Sequence, residues 1–445
     1  MMQKHSTTIP RAIYTLSLIA YTLLWVVLSP LLAGVMLRRG NHSRLQEIKR
    51  LPERFGFSPS QQEQSDYLFH CVSVGEVVAA TPLIRQLQAT DPNLRITVTT
   101  TTATGSQRVQ DTFEDSVNHA YLPFDMPWTM SNMLKRIKPK QVVIVEVELW
   151  PNMIRSCWCR NIPVTVVNGR MTDRSASRYQ KLRALFTPTL TRITRVCAQG
   201  QRDYDNYLAL GVVEGKLVLT NNMKFDLQPQ SDKLLGKTLR ERYGVNGRPV
   251  IIGGSTHAPE ETLLLKTYGQ LKADFPDLLL VLVPRHPQRF DAVYQLCLQQ
   301  QKDVIRTSQG DRCQSTTDVM LADEMGMLSE LYAISDIAFV GGSLCDRGGH
   351  NALEPAQLGI PIVMGPSQYN NPQICAELET SGALATAHDE DELLTLCRHW
   401  LSHPEEASDK GAAGQIIIAR NAGAVKATLD VLQQQSRREG AVNKP

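Results

Sequence analysis

The stretch YLFHCVSVGEVVAATPLIRQL, residues 67–87, predicts a strand, a tight turn and a helix. The apolar run Tyr67–Val74 is typical of a buried strand, and apolar residues recur at helical spacing over Val77–Leu87. The turn between them carries Ser73 and Glu76. A strand that leads at once into a helix is the repeating unit of a parallel sheet covered by helices, so this stretch predicts an α/β fold.

Glu76 has two interpretations. A carboxylate in the first turn of a helix is stabilised by the helix macrodipole by about 0.3–1 kcal/mol, which is a purely structural role. Alternatively it is a catalytic base, because ligands of open α/β sheets bind beyond the carboxyl ends of the strands. Taken alone, the residue favours the structural role. In either role we expect the helix N-terminus to keep this carboxylate ionised.

The alternation of strand and helix patterns continues through two halves of the chain. In the first half the predicted strands are Tyr67–Val74, Arg95–Thr100, Gln141–Val145, Pro163–Val167 and Arg195–Ala198. In the second half they are Pro249–Ile252, Leu278–Val283, Asp336–Val340 and Ile362–Met364. The predicted organisation is an N-terminal membrane anchor (1–40), a Rossmann-like domain (41–227), a polar linker (228–248), a second Rossmann-like domain (249–425) and a polar tail (426–445). We expect two doubly wound domains that face each other across a cleft.

The predicted anchor is residues 12–37, which contain no charged side chain over 26 positions. About 20 apolar residues cross a bilayer, so this length is sufficient with some tilt. Between residues 38 and 54, six arginines and lysines outnumber two glutamates, which predicts that the rest of the chain lies in the cytoplasm. The alternatives are a buried core helix and, given Pro30, a helix that lies in the membrane interface.

Composition narrows the function classes. Of the 445 residues, 42% are apolar and 20% charged, as in ordinary globular proteins. The net charge of +3 is too small to indicate a nucleic-acid partner. Nine cysteines without zinc-type spacing predict reduced thiols and no disulfide framework. No His, Asp or Glu pattern has metal-ligand spacing, and no nucleophile elbow is present, so we expect neither a metal site nor a serine-type triad.

The second half carries motifs typical of a phosphate site. Residues 341–366, GGSLCDRGGHNALEPAQLGIPIVMGP, place four glycines, His350, Asn351 and Glu354 between a strand and a helix. Such turns let the backbone approach an anion at a helix N-terminus, although a capped helix after a tight turn is the structural alternative. Arg285 follows another apolar strand, and arginine is the preferred partner of phosphate. A surface ion pair is the alternative for Arg285.

The first half carries acids and a basic helix. Glu146 and Glu148 follow an apolar strand. They are either structural residues, which cap a helix or pair with Arg170, or functional acids. Lys224 lies near the predicted hinge between the two domains. It is either a functional residue or an ordinary solvated lysine. Arg174, Arg178 and Lys181 fall at i, i+4 and i+7 of a helical pattern, hence on one face. That face is either solvated or binds an acidic, membrane-borne substrate.

Together these motifs resemble the bacterial 3-deoxy-D-manno-octulosonic acid (Kdo) transferases of lipopolysaccharide synthesis. The resemblance rests on seven motifs in order: SVGE, EVELWPN, NGRMTDRSASRY, NNMKFD, STHAPEE, PRHPQRF and the 341–366 segment. It implies a GT-B glycosyltransferase at the bacterial inner membrane, with CMP-Kdo as donor, a tetraacylated lipid A precursor as acceptor, inner-membrane lipid as a partner and no metal or other cofactor. Two positions depart from the usual pattern. The common form of the turn after Met325 is Gly-Glu-Leu, so Met327 is a departure, and the glycine usual before Asn222 is absent.

The resemblance also implies roles for individual residues. Glu76 would deprotonate the acceptor hydroxyl, and Glu148 and Lys224 would support the transition state. The residues that would bind CMP-Kdo are Pro284, Arg285, Met325, Gly326, Met327, Asn351, Ala352, Leu353 and Glu354. Arg174, Arg178 and Lys181 are expected to face the phosphates of the acceptor lipid. The reaction would be an inverting transfer of Kdo to the 6′-hydroxyl of the lipid.

Three other functions remain compatible with the sequence. A nucleotide-sugar 2-epimerase shares the two-domain fold and would turn over a UDP-sugar without acceptor. A different membrane-associated GT-B glycosyltransferase is the second. The third is a catalytically silent, membrane-tethered binding module. The presence of Glu76, Arg285 and Glu354 argues against it.

Overall fold

The computed structural model of the chain describes residues 9–39, 49–57, 64–226 and 233–442. The chain forms two compact units. Unit 1 comprises residues 1–226 together with 422–445, and unit 2 comprises residues 227–421. Each unit is built around one parallel seven-stranded sheet.

Unit 1 alternates strands and helices as the sequence predicts. Its elements are α1 (Arg11–Arg39), β1 (Tyr67–His70), α2 (Val74–Thr90), β2 (Ile96–Thr100), α3 (Ala103–Phe113), β3 (Asn118–Tyr121), α4 (Pro127–Ile137), β4 (Gln141–Val145), α5 (Pro151–Trp158), β5 (Val164–Gly169), α6 (Asp173–Lys181), α7 (Arg183–Leu190), β6 (Arg195–Ala198), α8 (Gln201–Ala209) and β7 (Leu217–Leu219). The sheet order is β3-β2-β1-β4-β5-β6-β7. Successive residues of β4 enter different cores: Val142 and Ile144 pack on one face, and Val143 and Val145 on the other. The sheet is therefore buried on both faces, which explains the continuous apolar runs.

Unit 2 repeats this architecture. Its elements are α9 (Lys233–Tyr243), β8 (Val250–Thr256), α10 (Glu260–Leu271), β9 (Leu279–Pro284), α11 (Phe290–Gln299), β10 (Val304–Arg306), β11 (Val319–Leu321), α12 (Leu328–Ala333), β12 (Ile337–Val340), α13 (Leu353–Gln357), β13 (Ile362–Met364), α14 (Pro372–Thr380), β14 (Leu384–Thr386), α15 (Glu390–Ser402) and α16 (Pro404–Asn421). The sheet order is β10-β11-β9-β8-β12-β13-β14. Alternate residues of β9 again pack into two different cores, one on each face of the sheet.

The structure places the boundaries of the units differently from the predicted ones. The predicted linker 228–248 contains α9, whose Leu239 and Tyr243 are buried in a core of unit 2. The predicted polar tail is largely a helix, α17 (Ala424–Val442), whose Val425, Leu429 and Leu432 are buried in a core of unit 1. The chain therefore returns to unit 1 after residue 421. The sequence pattern misled because residues 433–440 of α17 include no apolar side chain, which is typical of a polar tail.

Helix α1 packs one face against unit 1 and exposes the other. Tyr14 and Leu18 belong to a core cluster of the unit, and the Tyr21 hydroxyl donates a hydrogen bond to the Asp125 carboxylate at 2.9 Å. The Asn152 side-chain amide donates to Thr22 Oγ1 at 3.1 Å. The opposite face exposes Ile13, Leu16, Ile19, Leu23, Leu24, Val27 and Leu31. By length and composition, Arg11–Val35 could also cross a membrane.

Candidate functional site

Each sheet has one point where the strand order reverses direction. In unit 1 it lies between β1 and β4, and in unit 2 between β8 and β12. Ligands of open α/β sheets bind in the crevice beyond the carboxyl ends of the strands at such a point. Glu76 follows β1, while Glu146 and Glu148 follow β4, so the three acids of unit 1 lie at its switch point.

Glu76 is a buried helix-capping residue, with 8% of its surface exposed. Its backbone N–H donates to the Ser73 side chain at the N-cap of α2, and its carboxylate accepts the N–H of Val72. Burial, followed by the charge of Glu146, raises its pKa from 4.5 to about 8. The expectation that the helix end keeps Glu76 ionised is therefore wrong, because desolvation outweighs the macrodipole. A carboxyl group with this pKa can accept a proton near neutral pH.

Glu146 is a residue of the site to which the family resemblance assigned no role. Its φ of +60° lies in the left-handed region, which is uncommon for glutamate and clusters at functional sites. The Lys224 ammonium lies 3.9 Å from its carboxylate, within ion-pair distance. Glu146 also raises the pKa of both Glu76 and Glu148. A sequence signal existed, since Glu146 and Glu148 are paired acids after one strand, but nothing in the sequence indicated the unusual backbone conformation.

Lys224 lies in a 3₁₀ turn, Met223–Asp226, which is the last segment of unit 1 before the chain enters unit 2. Two asparagines hold this turn. The Asn168 side chain accepts the Met223 N–H at 3.0 Å, and Asn222 accepts the Lys224 N–H at 3.0 Å. Asn221, which replaces the glycine usual in the family, has a φ of +65°. Asparagine tolerates that conformation better than most residues, so the turn is kept despite the departure.

The basic residues of the first half lie on α6. Arg174, Arg178 and Lys181 are exposed, and α6 has no buried side chain. Tyr179 of the same helix donates to the Val147 carbonyl at 3.3 Å, and its pKa is raised to about 12 by burial and by Glu148. The basic face is therefore attached directly to the loop that carries the acids. Burial, then Glu146, raises the pKa of Glu148.

In unit 2 the predicted donor residues come after three strands of the sheet, β11, β9 and β12. Pro284 ends β9, and the exposed Arg285 follows it and donates its N–H to the Thr256 carbonyl at the end of β8. Gly326, with a φ of +91°, forms the turn after β11, beside the exposed Met325. Met327, at the family-variant position, packs partly against the core instead of facing solvent fully.

The 341–366 segment forms a glycine turn and a short helix. Helix α13 has only five residues, so the predicted helix after the glycine turn is little more than one turn long. Asn351 donates to the Glu354 carboxylate at 3.1 Å and accepts the Leu353 N–H at 3.2 Å. Burial raises the pKa of Glu354, whereas Asn351 and Arg285 lower it. Ala352 and Leu353 have buried side chains, so only their backbone could contact a ligand.

Glu260 is a second residue that the sequence did not single out. It is fully buried, and its carboxylate accepts four backbone N–H groups, those of His257, Gly342, Ser343 and Leu344, at 2.9–3.0 Å. It thereby ties the end of β8 to the glycine turn after β12. The His257 contact has the i, i+3 spacing of a capping interaction, which a sequence can show. The other three lie 82 to 84 residues away.

Two further observations concern the surroundings of these residues. Among the residues that the structure describes, no group of three or more His, Cys, Asp or Glu side chains could hold a metal ion. A cavity of about 610 Å³ adjoins the glycine turn of unit 2 and is lined by Ser343, Asp346, Gln368 and Tyr369, among others. A cavity of this size accommodates a sugar or nucleotide.

Comparisons with known proteins agree with these observations. A family model of 3-deoxy-D-manno-octulosonic-acid transferases matches residues 49–227. A 3-deoxy-D-manno-octulosonic acid transferase of Haemophilus influenzae is 42% identical over 390 residues, 86% of this chain and 91% of that protein. One of Bordetella pertussis is 30% identical over 93% of this chain and 98% of that protein. The solved UDP-GlcNAc 2-epimerase of Neisseria meningitidis has a TM-score of 0.56 at 14% identity, over 83% of this chain and 99% of that chain, so it shares the GT-B fold alone.

The fold does not separate a transferase from an epimerase, because the epimerase structure covers both units. The sequence identity does, since it extends over most of the chain and of its relatives. The chain belongs to the Kdo transferase family and is a GT-B glycosyltransferase.

Proposed function

We propose that the enzyme transfers Kdo from CMP-Kdo to the 6′-hydroxyl of a tetraacylated lipid A precursor, with inversion at the anomeric carbon and release of CMP. The observation that carries the proposal is the buried Glu76 at the switch point of unit 1, with a pKa suited to a base. Family membership supports the transfer of Kdo. The donor, the acceptor and the stereochemistry are the parts that the proposal adds.

In the proposed mechanism Glu76 removes the proton of the acceptor hydroxyl. The hydroxyl oxygen forms a bond to C2 of Kdo while the bond from C2 to the phosphate oxygen breaks, and the electron pair leaves with CMP. Lys224 and Glu148 support the transition state in unit 1. In unit 2, Arg285 stabilises the departing phosphate, and the turn Met325–Met327 and residues Asn351–Glu354 hold CMP. A guanidinium beside the phosphate supplies the positive charge, so the proposal includes no metal.

The decisive experiment is to incubate the purified enzyme with CMP-Kdo and the lipid precursor and to weigh the products. The proposal expects the lipid mass to increase by one or more Kdo units, with equimolar CMP. A second assay supplies UDP-GlcNAc without acceptor and measures epimerisation, for which the proposal expects no turnover. An unchanged lipid mass with intact CMP-Kdo would contradict the proposal.

The basic face of α6 is proposed to bind the phosphates of the acceptor lipid. We expect the triple variant Arg174→Ala, Arg178→Ala and Lys181→Ala to raise the KM for the lipid about tenfold, because three cations near phosphates are removed. The kcat and the KM for CMP-Kdo should stay within twofold. A matched triple, Arg108→Ala, Lys135→Ala and Lys138→Ala, removes three exposed cations of the same unit. An equal effect of both triples would assign the result to net charge.

Helix α1 is proposed to lie on the cytoplasmic surface of the bacterial inner membrane rather than to cross it. Its middle is fixed to unit 1 by the hydrogen bonds of Tyr21 and Thr22, which a helix surrounded by lipid could not make. The opposite face exposes apolar side chains from Ile13 to Leu31. A helix with one docked and one lipid-facing side is typical of an interfacial anchor.

Two charges on the outer face should release the enzyme from membranes. Leu16 and Val27 are 66% and 73% exposed, so the double variant Leu16→Glu, Val27→Glu loses no packing within the protein. Each side chain would contribute about 1.5–3 kcal/mol if buried in lipid, so we expect vesicle binding to fall more than tenfold with an unchanged melting temperature. Leu208→Glu on α8 is the control, since Leu208 is also exposed.

Cysteine labelling can distinguish a helix α1 that lies on the membrane from one that crosses it. A cysteine in place of Ile9 should react with a membrane-impermeant maleimide from the side on which the exposed Cys159 reacts. Reaction of the two positions from opposite sides of the membrane would show that the helix crosses it.

A further inference from the structure

Three histidines end neighbouring strands of unit 2 and have no role in the proposed mechanism. His257 follows β8, His286 follows β9, and His350 follows the glycine turn after β12. His257 and His350 therefore lie on the two sides of the switch point. The His286 ring lies 5.2 Å from that of His257, edge to face, and His286 is exposed.

His257 and His350 are in direct contact. Their Nε2 atoms are 2.9 Å apart, and the rings are stacked at 11° with centroids 5.2 Å apart. A hydrogen bond between two nitrogens needs one proton, so one ring is the Nε2–H tautomer and the other accepts through a bare Nε2. The donor ring then carries a bare Nδ1. The pair is a base with one free proton site.

The surroundings fix this geometry. A Cβ at Gly342 would lie 2.9 Å from the His350 ring, so the glycine makes room for the imidazole, and its φ of +73° also favours glycine. Glu260 holds both the His257 N–H and the Gly342 N–H. The Glu260 carboxylate thus joins the backbone of His257 to the glycine turn, and the Gly341 carbonyl of that turn accepts the His350 N–H at 3.0 Å.

Cations face the pair from the neighbouring strand ends. Burial, then His257, Arg285 and His286, lowers the pKa of His350 to about 4. Burial also lowers the pKa of His257, with His286 and Arg347 acting in the same direction and Glu260 and Glu261 against it. Without ligand the pair is therefore neutral at pH 7. An anion bound beside it would reverse this balance, because it would stabilise an imidazolium.

The proposed donor carries two adjacent anionic groups. The anomeric carbon of Kdo bears both the phosphate ester oxygen and the C1 carboxylate, so a site for CMP-Kdo needs two neighbouring anion subsites. Arg285, after β9, provides one of them. The histidine pair, after β8 and β12, lies on the next strand ends and is half-buried, hence accessible.

We propose that His257 and His350 form the subsite for the carboxylate of the donor sugar, and that the pair takes up one proton when this carboxylate binds. The inference rests on the proposed donor. The step adds a solvent proton to the free Nδ1, and no covalent bond of the donor forms or breaks. The subsite would select sugars with a carboxylate at the anomeric carbon over neutral sugars.

Titration calorimetry with CMP-Kdo and with CMP tests the proposal. The double variant His257→Gln, His350→Gln should bind CMP-Kdo about tenfold or more weakly, because it loses a charge-assisted hydrogen bond, while its affinity for CMP changes less than twofold. In buffers of different ionisation enthalpy at pH 7.5, the wild type should take up about one proton more with CMP-Kdo than with CMP. The double variant should not. Arg285→Ala should weaken the binding of both CMP and CMP-Kdo.

The controls separate the possible failures. His388→Gln removes an exposed histidine of the same unit and should change the affinity for neither CMP nor CMP-Kdo. Unchanged CMP binding shows that the double variant is folded. If the double variant lost affinity for CMP and CMP-Kdo equally, or lost affinity for neither, the proposed carboxylate subsite would be wrong. A wild type that binds CMP-Kdo and transfers Kdo, with no effect of the histidine variants, refutes this inference alone, whereas a wild type that does not use CMP-Kdo refutes the proposed function.

Discussion

Replacing Glu76 by Gln is expected to lower turnover by about 10²–10⁴-fold, because a positioned general base contributes that much. The amide can still accept the Val72 N–H, so the N-terminus of α2 keeps its contact. Binding of CMP-Kdo should be unchanged, since unit 2 is proposed to hold the donor. The measurements are steady-state kinetics with the lipid precursor and donor titration. Turnover within a few-fold of the wild type would rule out Glu76 as the base.

The pH dependence of kcat in the wild type should report the ionisation of the Glu76 carboxyl group. With a pKa of about 8, Glu76 is mostly protonated at pH 6, and only the ionised form is a base. The kcat should therefore rise with pH up to about 8 and then level off. Glu146→Gln removes the second cause of the shift and should move this limb to lower pH. Glu214→Gln, an exposed change in the same unit, should leave the profile unchanged.

Stability should show the opposite dependence on pH. The carboxyl ionises near 4.5 when the chain is unfolded and near 8 when it is folded. Between these values the unfolded state releases the proton first, so the wild type loses folding free energy as pH rises. Glu76→Gln has no such proton, and its free energy of unfolding should fall less between pH 5 and 8. Equal pH dependence of both proteins would contradict the raised pKa.

The sequence predicted the central strands of both sheets well, except β11, and missed all four edge strands. The missed strands are β3, β7, β10, β11 and β14, four of which lie at sheet edges. The edge strands have partly exposed residues, as in Asn118 of β3 or Val304 of β10, so they lack the continuous apolar run of a strand buried on both faces. Strand β11 is fully buried but has only three residues. The helical pattern that contains Arg174, Arg178 and Lys181 ends at Lys181 with α6, and a second helix, α7, begins after Leu182.

The site was predictable wherever function sits next to the strand in sequence. Glu76 and Arg285 each come within a few residues of the end of a strand, and the structure places each at a carboxyl edge. The contacts that tune them were not predictable, because they join distant segments. Glu146 lies 70 residues from the carboxyl group whose pKa it raises, and His350 lies 93 residues from His257. Periodicity and spacing carry no information on such pairs.

Loss of Glu260 should have the largest effect on stability. Glu260→Ala leaves four buried N–H groups without their charged acceptor, and each unsatisfied group costs about 1–3 kcal/mol. Allowing for relaxation and water entry, we expect unit 2 to lose about 3 kcal/mol or more, a melting shift of roughly 6–12 °C. Scanning calorimetry measures it. Glu405→Gln, an exposed glutamate in the first turn of α16, should shift the melting temperature by less than about 2 °C.

Glu260→Gln is the sharper variant, because it keeps the size of the side chain. Its amide oxygen can accept two of the four N–H groups, but its NH₂ group faces the other two as a second donor, so half of the cluster becomes repulsive. If the carboxylate fixes the histidine pair, this variant should weaken CMP-Kdo binding more than CMP binding even where it is fully folded. If Glu260 only stabilises the turn, both ligands should bind normally below the melting temperature. The comparison of the two ligands therefore separates the placement of His257 and His350 from the stability of the fold.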